Sequence, residues 1–179
     1  MYSVAKGEYV ADCDGDDYWT DPLKLQKQVD FMEANPEYVL CYHDYKIHHV
    51  DRNIIVIPSS KKPRDYSALD LIKYDSSGYD IHPSTKLWRN LYNEQTKKNF
   101  EVFWGDYALT VMMGMYGPCK YIPGIEPSVF RRMHGGNSWC SLSQRAMKIK
   151  TREIRQRIYD RMVEIGNPEW IAIRKGFLK

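Results

Sequence analysis

The stretch that most constrains this chain is Tyr9-Val10-Ala11-Asp12-Cys13-Asp14-Gly15-Asp16-Asp17-Tyr18-Trp19, a short, mostly apolar run that ends in three carboxylates around one glycine. The run has the composition of a strand, and the acids behind it that of a turn at the strand's end. Carboxylates packed so closely repel one another unless a cation or a set of hydrogen-bond donors neutralises them. Asp14, Asp16 and Asp17 therefore form either a solvated turn, with Asp17 bonding local backbone, or one half of a site for a divalent ion. Hard oxygen ligands suit Mg2+ or Mn2+, and Gly15 would let the backbone bend so that carboxylates meet a metal-bound phosphate. The strand-then-turn context favours the metal site.

Such a site needs a domain to hold it. A chain of 179 residues, 43% of them hydrophobic, is long enough for one α/β domain with its own core. Its net charge is only +3 and its basic residues are dispersed until the last third, so nothing calls for a nucleic acid polymer as partner. Cys13, Cys41, Cys119 and Cys140 lie far apart with no paired spacing, which argues against a zinc site or a disulfide framework and fits a reducing cytoplasm. No apolar run is long enough to cross a bilayer, and the first residues lack a signal-peptide core.

Beyond the acidic turn, Asp21-Pro22 opens a helix as cap and first residue, with Leu25, Val29 and Met32 on its apolar face and Asn35-Pro36 closing it. Tyr38 to Tyr45 alternates like a strand, and the flank holding Ile47 and Val50 forms a hairpin with Ile54-Ile55-Val56-Ile57 around Asp51-Arg52-Asn53. His48 and His49 point to opposite sides of that hairpin, which disfavours a shared metal. Ser67 starts a short helix with Asp70 at the capping-box position. Ile81 to Arg89 mixes hydroxyls and a histidine with apolar residues, as expected beside a polar pocket, although His82 serves equally well as a structural hydrogen-bonder.

The second informative stretch is Phe103-Trp104-Gly105-Asp106-Tyr107-Ala108-Leu109, where Asp106 stands at the start of a helix whose buried face is Leu109, Met112, Met113 and Tyr116. A plain N-cap accounts for Asp106 locally; a carboxylate at a cleft would instead be a general base. Cys119 to Pro123 and Ser128 to Met133 have the pattern of two further strands. The second ends at His134-Gly135-Gly136, a candidate metal ligand on a loop, with Arg132 close enough in sequence to serve phosphate. From Ser141 to Ile165 the pattern is helical and basic, which suits either a solvated face or a membrane surface, and a last helix follows Asn167-Pro168.

Three of these stretches fall in an order that resembles the family 2 glycosyltransferases of the GT-A fold: Asp14-Gly15-Asp16-Asp17-Tyr18-Trp19-Thr20-Asp21-Pro22, then Gly105-Asp106-Tyr107-Ala108-Leu109, then Arg132-Met133-His134-Gly135-Gly136. The resemblance runs from about Ala5 to Trp139. It implies a partial GT-A domain, Rossmann-like, with a mixed sheet flanked by helices over residues 1–140 and a helical extension of the same domain over 141–179. It implies metal-dependent, inverting transfer of a sugar from a nucleotide-diphosphate donor, a UDP-sugar foremost, to a sugar or lipid-linked sugar acceptor in bacterial surface polysaccharide assembly. Asp14, Asp16 and Arg132 would hold the donor, and Asp14, Asp16 and His134 the Mg2+ or Mn2+. Asp106 would take the acceptor's proton, and His82, Ser84, Thr85 and Trp104 would lie on the acceptor side. The implied location is the cytoplasm, at the inner face of the membrane, with peripheral membrane contact and self-association both open.

Two departures qualify what the resemblance implies. The strand-helix-strand segment that grips the nucleotide base in this family has no counterpart ahead of Ala5, so the expectation is the C-terminal part of such an enzyme, with activity of this chain alone in question. A catalytically silent, self-associating or partner-binding fold is the rival reading. Gly105 stands where the family more often has glutamate. An aspartate-based phosphohydrolase would want Thr or Val after its nucleophile where Asp17-Tyr18 stands, and a calcium loop would need glycine at Asp17 and glutamate at Leu23.

Overall fold

The computed structural model of the chain describes residues 4–57, 64–73, 81–100, 105–125, 127, 129–133 and 142–177. The class is mixed α/β, and the expected single mixed sheet is divided into two sheets of four strands each. The first contains β1 (Tyr9–Val10), β6 (Leu87–Arg89), β3 (Leu40–Tyr42) and β7 (Cys119–Tyr121) in that spatial order, antiparallel except for the parallel β3 and β7. The second contains β2 (Asp17–Trp19), β8 (Val129–Met133), β4 (Tyr45–His49) and β5 (Ile54–Val56), with β4 and β8 parallel. Three successive strand pairs, β1 to β2, β3 to β4 and β7 to β8, each pass from the first sheet to the second. The run predicted as one strand from Tyr38 to Tyr45 is thus two, broken at His43-Asp44, because its halves pair with different sheets. The acidic stretch is the first of these crossings.

Helix α1 (Lys24–Ala34) starts two residues later than the Asp21-Pro22 cap predicts. Asp21 instead closes the preceding turn, where Oδ1 accepts from Leu23 N at 2.8 Å. Of the predicted apolar face, Met32 is buried and Val29 packs beside it, but Leu25 is 39% exposed, and Lys24 and Gln28 point inward with Met32. The polar pair is tolerated because each finds a partner: Lys24 Nζ donates to Gln28 Oε1 at 2.7 Å, and Gln28 Nε2 to Thr85 O at 2.9 Å. Arg89 ties the end of α1 to the first sheet by donating to the carbonyls of Tyr38 and Met32 and to the Tyr9 hydroxyl.

The β4–β5 hairpin forms around Asp51-Arg52-Asn53 as its sequence predicts, with Asn53 at φ 50°. Helix α2 (Ala68–Lys73) has the reciprocal capping box: Ser67 N donates to Asp70 Oδ2 at 3.0 Å and Asp70 N to Ser67 Oγ at 3.2 Å. Short helix α3 (Lys97–Phe100) precedes the central α4 (Asp106–Gly114), in which every residue from Ala108 to Gly114 is buried. Helix α5 (Gln144–Ile165) is capped by Ser143 and ends at the left-handed Gly166, and Asn167 then caps α6 (Pro168–Phe177). Ile158 and Met162 of α5 and Trp170 of α6 share one core with Leu109, Met113, Tyr42 and Trp88, so the C-terminal helices pack on the same core as the first sheet.

Candidate functional site

The acidic segment folds as a turn closed by Asp17 N donating to Asp14 O at 2.9 Å. Gly15 is not among the positive-φ residues, and a Cβ there would meet nothing within 4 Å, so the turn does not depend on glycine's freedom as expected. Asp14 stays exposed and Asp16 half-buried, but Asp17 turns inward, its side chain only 2% exposed. Its carboxylate reaches across the fold, where it accepts from the Ser84 hydroxyl and lies 3.6 Å from His82 Nδ1. Ser84 N donates to that same Nδ1 at 3.4 Å, which requires the nitrogen to be unprotonated and puts the proton of the neutral ring on Nε2. Trp19 Nε1 donates to Ser84 O at 2.8 Å, so the acidic turn and the 3-10 turn at Pro83–Thr85 are clamped at two points.

Ser84 and Thr85 are fully buried and His82 nearly so. Thr85 Oγ1 donates to His82 O at 2.7 Å, and the His82 ring stacks on Tyr45 with centroids 4.8 Å apart. These side chains form the wall behind the acidic turn. Beneath them lies a second polar layer that the helical periodicity of α1 had hidden. The Lys24 ammonium sits 4.2 Å over the Trp19 ring, and burial holds it down to about 8, with the neighbouring Cys41 and Cys13 opposing the shift. His43 is wholly buried, with Nδ1 2.7 Å from Asp44 O. Burial, reinforced by the Lys24 charge, holds its ring down to about 4. Burial pushes the thiols of Cys41 and Cys119 up to about 12, which leaves both unreactive.

The residue that sequence reasoning passed over is Lys86. It has no exposed surface, its Nζ donates to Thr110 Oγ1 at 3.3 Å, and it lies 5.5 Å from the centre of the Trp88 ring. Burial lowers its affinity for the proton, and the carboxylates of Asp106, Asp12 and Asp14 act in the opposite direction, the first most strongly. The candidate base and the acidic turn therefore both act on the same buried lysine. The only signal in the sequence was a lysine between Thr85 and Leu87 in an otherwise apolar strand start.

Asp106 itself is exposed and is the first residue of α4, not its cap. The cap position belongs to Gly105, whose φ of 93° and ψ of 178° lie in a region open essentially to glycine, with no side-chain cap present. The plain N-cap reading of Asp106 is thereby corrected, and glycine at position 105 has a backbone reason. Thr110 Oγ1 donates to Asp106 O at 2.9 Å, so Lys86 reaches the first turn of α4 through Thr110.

On the other side of the turn, β2 pairs with β8 so that Asp17 stands opposite Arg131, which makes Arg132 the next residue of that strand. His134 and Trp104 lie outside the described residues. Among the described residues no three His, Cys, Asp or Glu side chains converge as a metal-ligating group, and no helix is long and apolar enough to cross a membrane. A small cavity of about 10 Å3 opens beside β1 and β6, lined by Val10, Trp88, Tyr92, Phe100, Leu109 and Met113 among others, and none of the described candidate site residues lines it.

No family model matches the chain. A segment of 51 residues is 53% identical to "Uncharacterized protein Rv1520" and "Uncharacterized protein MT1570" from two strains of Mycobacterium tuberculosis, and to "Uncharacterized protein Mb1547" of Mycobacterium bovis. The match spans 28% of this chain and 15% of each relative.

Proposed function

We propose that this chain is part of a metal-dependent, inverting glycosyltransferase of the GT-A kind, which moves a sugar from a nucleotide-diphosphate donor to an acceptor hydroxyl. The observation that supports the reading is that the wholly buried Lys86 lies within electrostatic reach of Asp106 at the start of α4 and of Asp12 and Asp14 in the acidic turn, on elements far apart in the chain. In this reading Asp106 takes the proton of the attacking hydroxyl. Asp14 and Asp16 offer hard oxygens on an exposed turn. That donor set fits Mg2+ or Mn2+, since magnesium is commonly held by one or two carboxylates with phosphate and water completing its shell. The ion would supply charge stabilisation to the departing nucleoside diphosphate. Asp17, Ser84 and His82 hold the turn in place from behind, and Arg132 and His134 would serve the diphosphate side.

The test is a screen of UDP-, GDP- and dTDP-sugars with Mg2+ or Mn2+, run on this chain and on a version extended upstream, reading nucleoside diphosphate release. One donor should be turned over in a metal-dependent way, and Asp14→Asn should abolish it. Silence of both versions across the screen, with the fold intact, would remove the reading.

A second reading has its own observation. Ile54, Ile55, Val56 and Ile57 of β5 and its end are 41 to 66% exposed, a row of apolar side chains on a strand that is at the edge of its sheet among the described residues. It supports a silent fold that pairs with a second copy, and light scattering that gives a monomer at every concentration would exclude it.

A further inference from the structure

The first half of α5 carries a charge pattern that the helix itself does not explain. Between Ser143 and Glu153 the chain has Arg145, Lys148, Lys150 and Arg152 and no carboxylate. Arg145, in the first turn, opposes the positive end of the helix macrodipole, and Lys148 and Arg152, one turn apart, repel each other. A face kept only for solubility needs no such arrangement. The second half of the same helix shows the alternative: Arg161 pairs with Glu164 at 2.8 Å, and Gln156 donates to Asp160 at 2.8 Å. None of the four cations forms an ion pair among the described residues, and all four are exposed.

At about 100° per residue, Arg145, Lys148, Ile149 and Arg152 fall within one sector of roughly 100°, while Thr151, Ile158 and Met162 face the core. Ile149, among these cations, is 49% exposed. We propose that this stripe docks on an anionic lipid surface, with Arg145, Lys148 and Arg152 at the phosphate headgroups and Ile149 entering the acyl boundary. The isoleucine decides between anionic partners. It has a place below the headgroups of a bilayer and none against a nucleic acid backbone. The patch is also short, and a net charge of +3 leaves no long basic track beyond it. Each cation near an anionic leaflet strengthens partition by about fivefold, so the three of the stripe give a preference of about a hundredfold over neutral lipid, reduced as salt shortens the Debye length. The inference stands independently of the glycosyltransferase reading.

The experiment is flotation of the full chain with vesicles of phosphatidylglycerol and phosphatidylcholine, against phosphatidylcholine alone, at low and high salt. The chain should float with the anionic vesicles only, and high salt should release it. Lys148→Glu/Arg152→Glu should lower binding to the level of neutral vesicles with Tm nearly unchanged, because on this exposed face one like-charge pair replaces another. If that double variant does not fold, Lys148→Gln decides, with an expected loss of about fivefold. Ile149→Ser should weaken flotation and leave its salt dependence in place. Equal flotation with neutral lipid, no flotation with anionic lipid, or full binding by a folded charge variant would overturn the proposal. So would displacement by single-stranded RNA with Ile149→Ser behaving as the parent, which would make the patch a nucleic acid surface.

Discussion

The Lys86 ammonium, wholly out of solvent, donates to the Thr110 hydroxyl at 3.3 Å, and Thr110 in turn donates to the backbone carbonyl of Asp106. A buried ammonium with a neutral acceptor is a poor source of stability, because desolvation offsets most of what its neighbours return. Lys86→Met is therefore expected to leave stability unchanged or raise it by up to roughly 3 kcal/mol, while any transfer activity falls because the first turn of α4 loses its buried counter-charge. Urea denaturation alongside a transfer assay checks both halves, and a large loss of stability would make Lys86 a purely structural group.

Two buried bases below the site make stability depend on pH in opposite ranges. His43 is held down to about 4 against an ordinary 6.5, so above 6.5 it is neutral in both folded and unfolded chains. As pH falls from 6.5 toward 4 only the unfolded chain takes up a proton, and stability drops by roughly 3 kcal/mol before levelling off. His43→Asn, which keeps a donor near Asp44 O, should flatten this window in urea titrations at neutral and mildly acidic pH. Lys24 acts at the other end: held at about 8 against 10.5, its cost is full below 8 and is relieved as pH rises toward 10.5.

Ser84→Ala removes the hydroxyl that donates to the buried Asp17 carboxylate. A hydrogen bond to a charged group contributes about 1.5 to 3 kcal/mol, and the charge left behind stays buried. Denaturation should show a loss in that range, whereas Ser84→Thr should recover part of it. An unchanged midpoint in the alanine variant would mean that the turn is held elsewhere.

Gly105→Ala isolates backbone strain, because a Cβ there meets nothing within 4 Å while φ is 93°. The expected cost is about 1 to 3 kcal/mol, read from thermal unfolding. Gly117→Ala provides the contrast: its φ is ordinary, but its Cβ would stand 2.7 Å from Val39 Cγ1 and 2.8 Å from Glu37 O, so the loss would come from a clash.

Asp106→Asn keeps shape and removes basicity. Since Asp106 is not the cap of α4, no cap is lost and any fall in stability comes from the charge it presents to Lys86, while transfer by the active enzyme should fall by about two to four orders of magnitude with donor binding retained. Full transfer activity in this variant would require another base.

The parts of this molecule that local physics decides could be read from the sequence: the acidic turn after a short strand, the Ser67–Asp70 capping box, the hairpin around Asp51-Arg52-Asn53, the buried α4 and the Asn167-Pro168 break between the last helices. Each follows from residues within a few positions of one another, where propensity and capping are sufficient. Tertiary structure alone decided that Tyr38 to Tyr45 divides between two sheets, that Lys24 and Gln28 rather than Leu25 face inward, and that Asp17 reaches Ser84 sixty-seven residues away. The same holds for Lys86, whose three neighbouring carboxylates come from two distant stretches of chain. A buried polar group has the same local signature as an exposed one, and only the partners that neutralise it, supplied by folding from far along the chain, determine which it becomes.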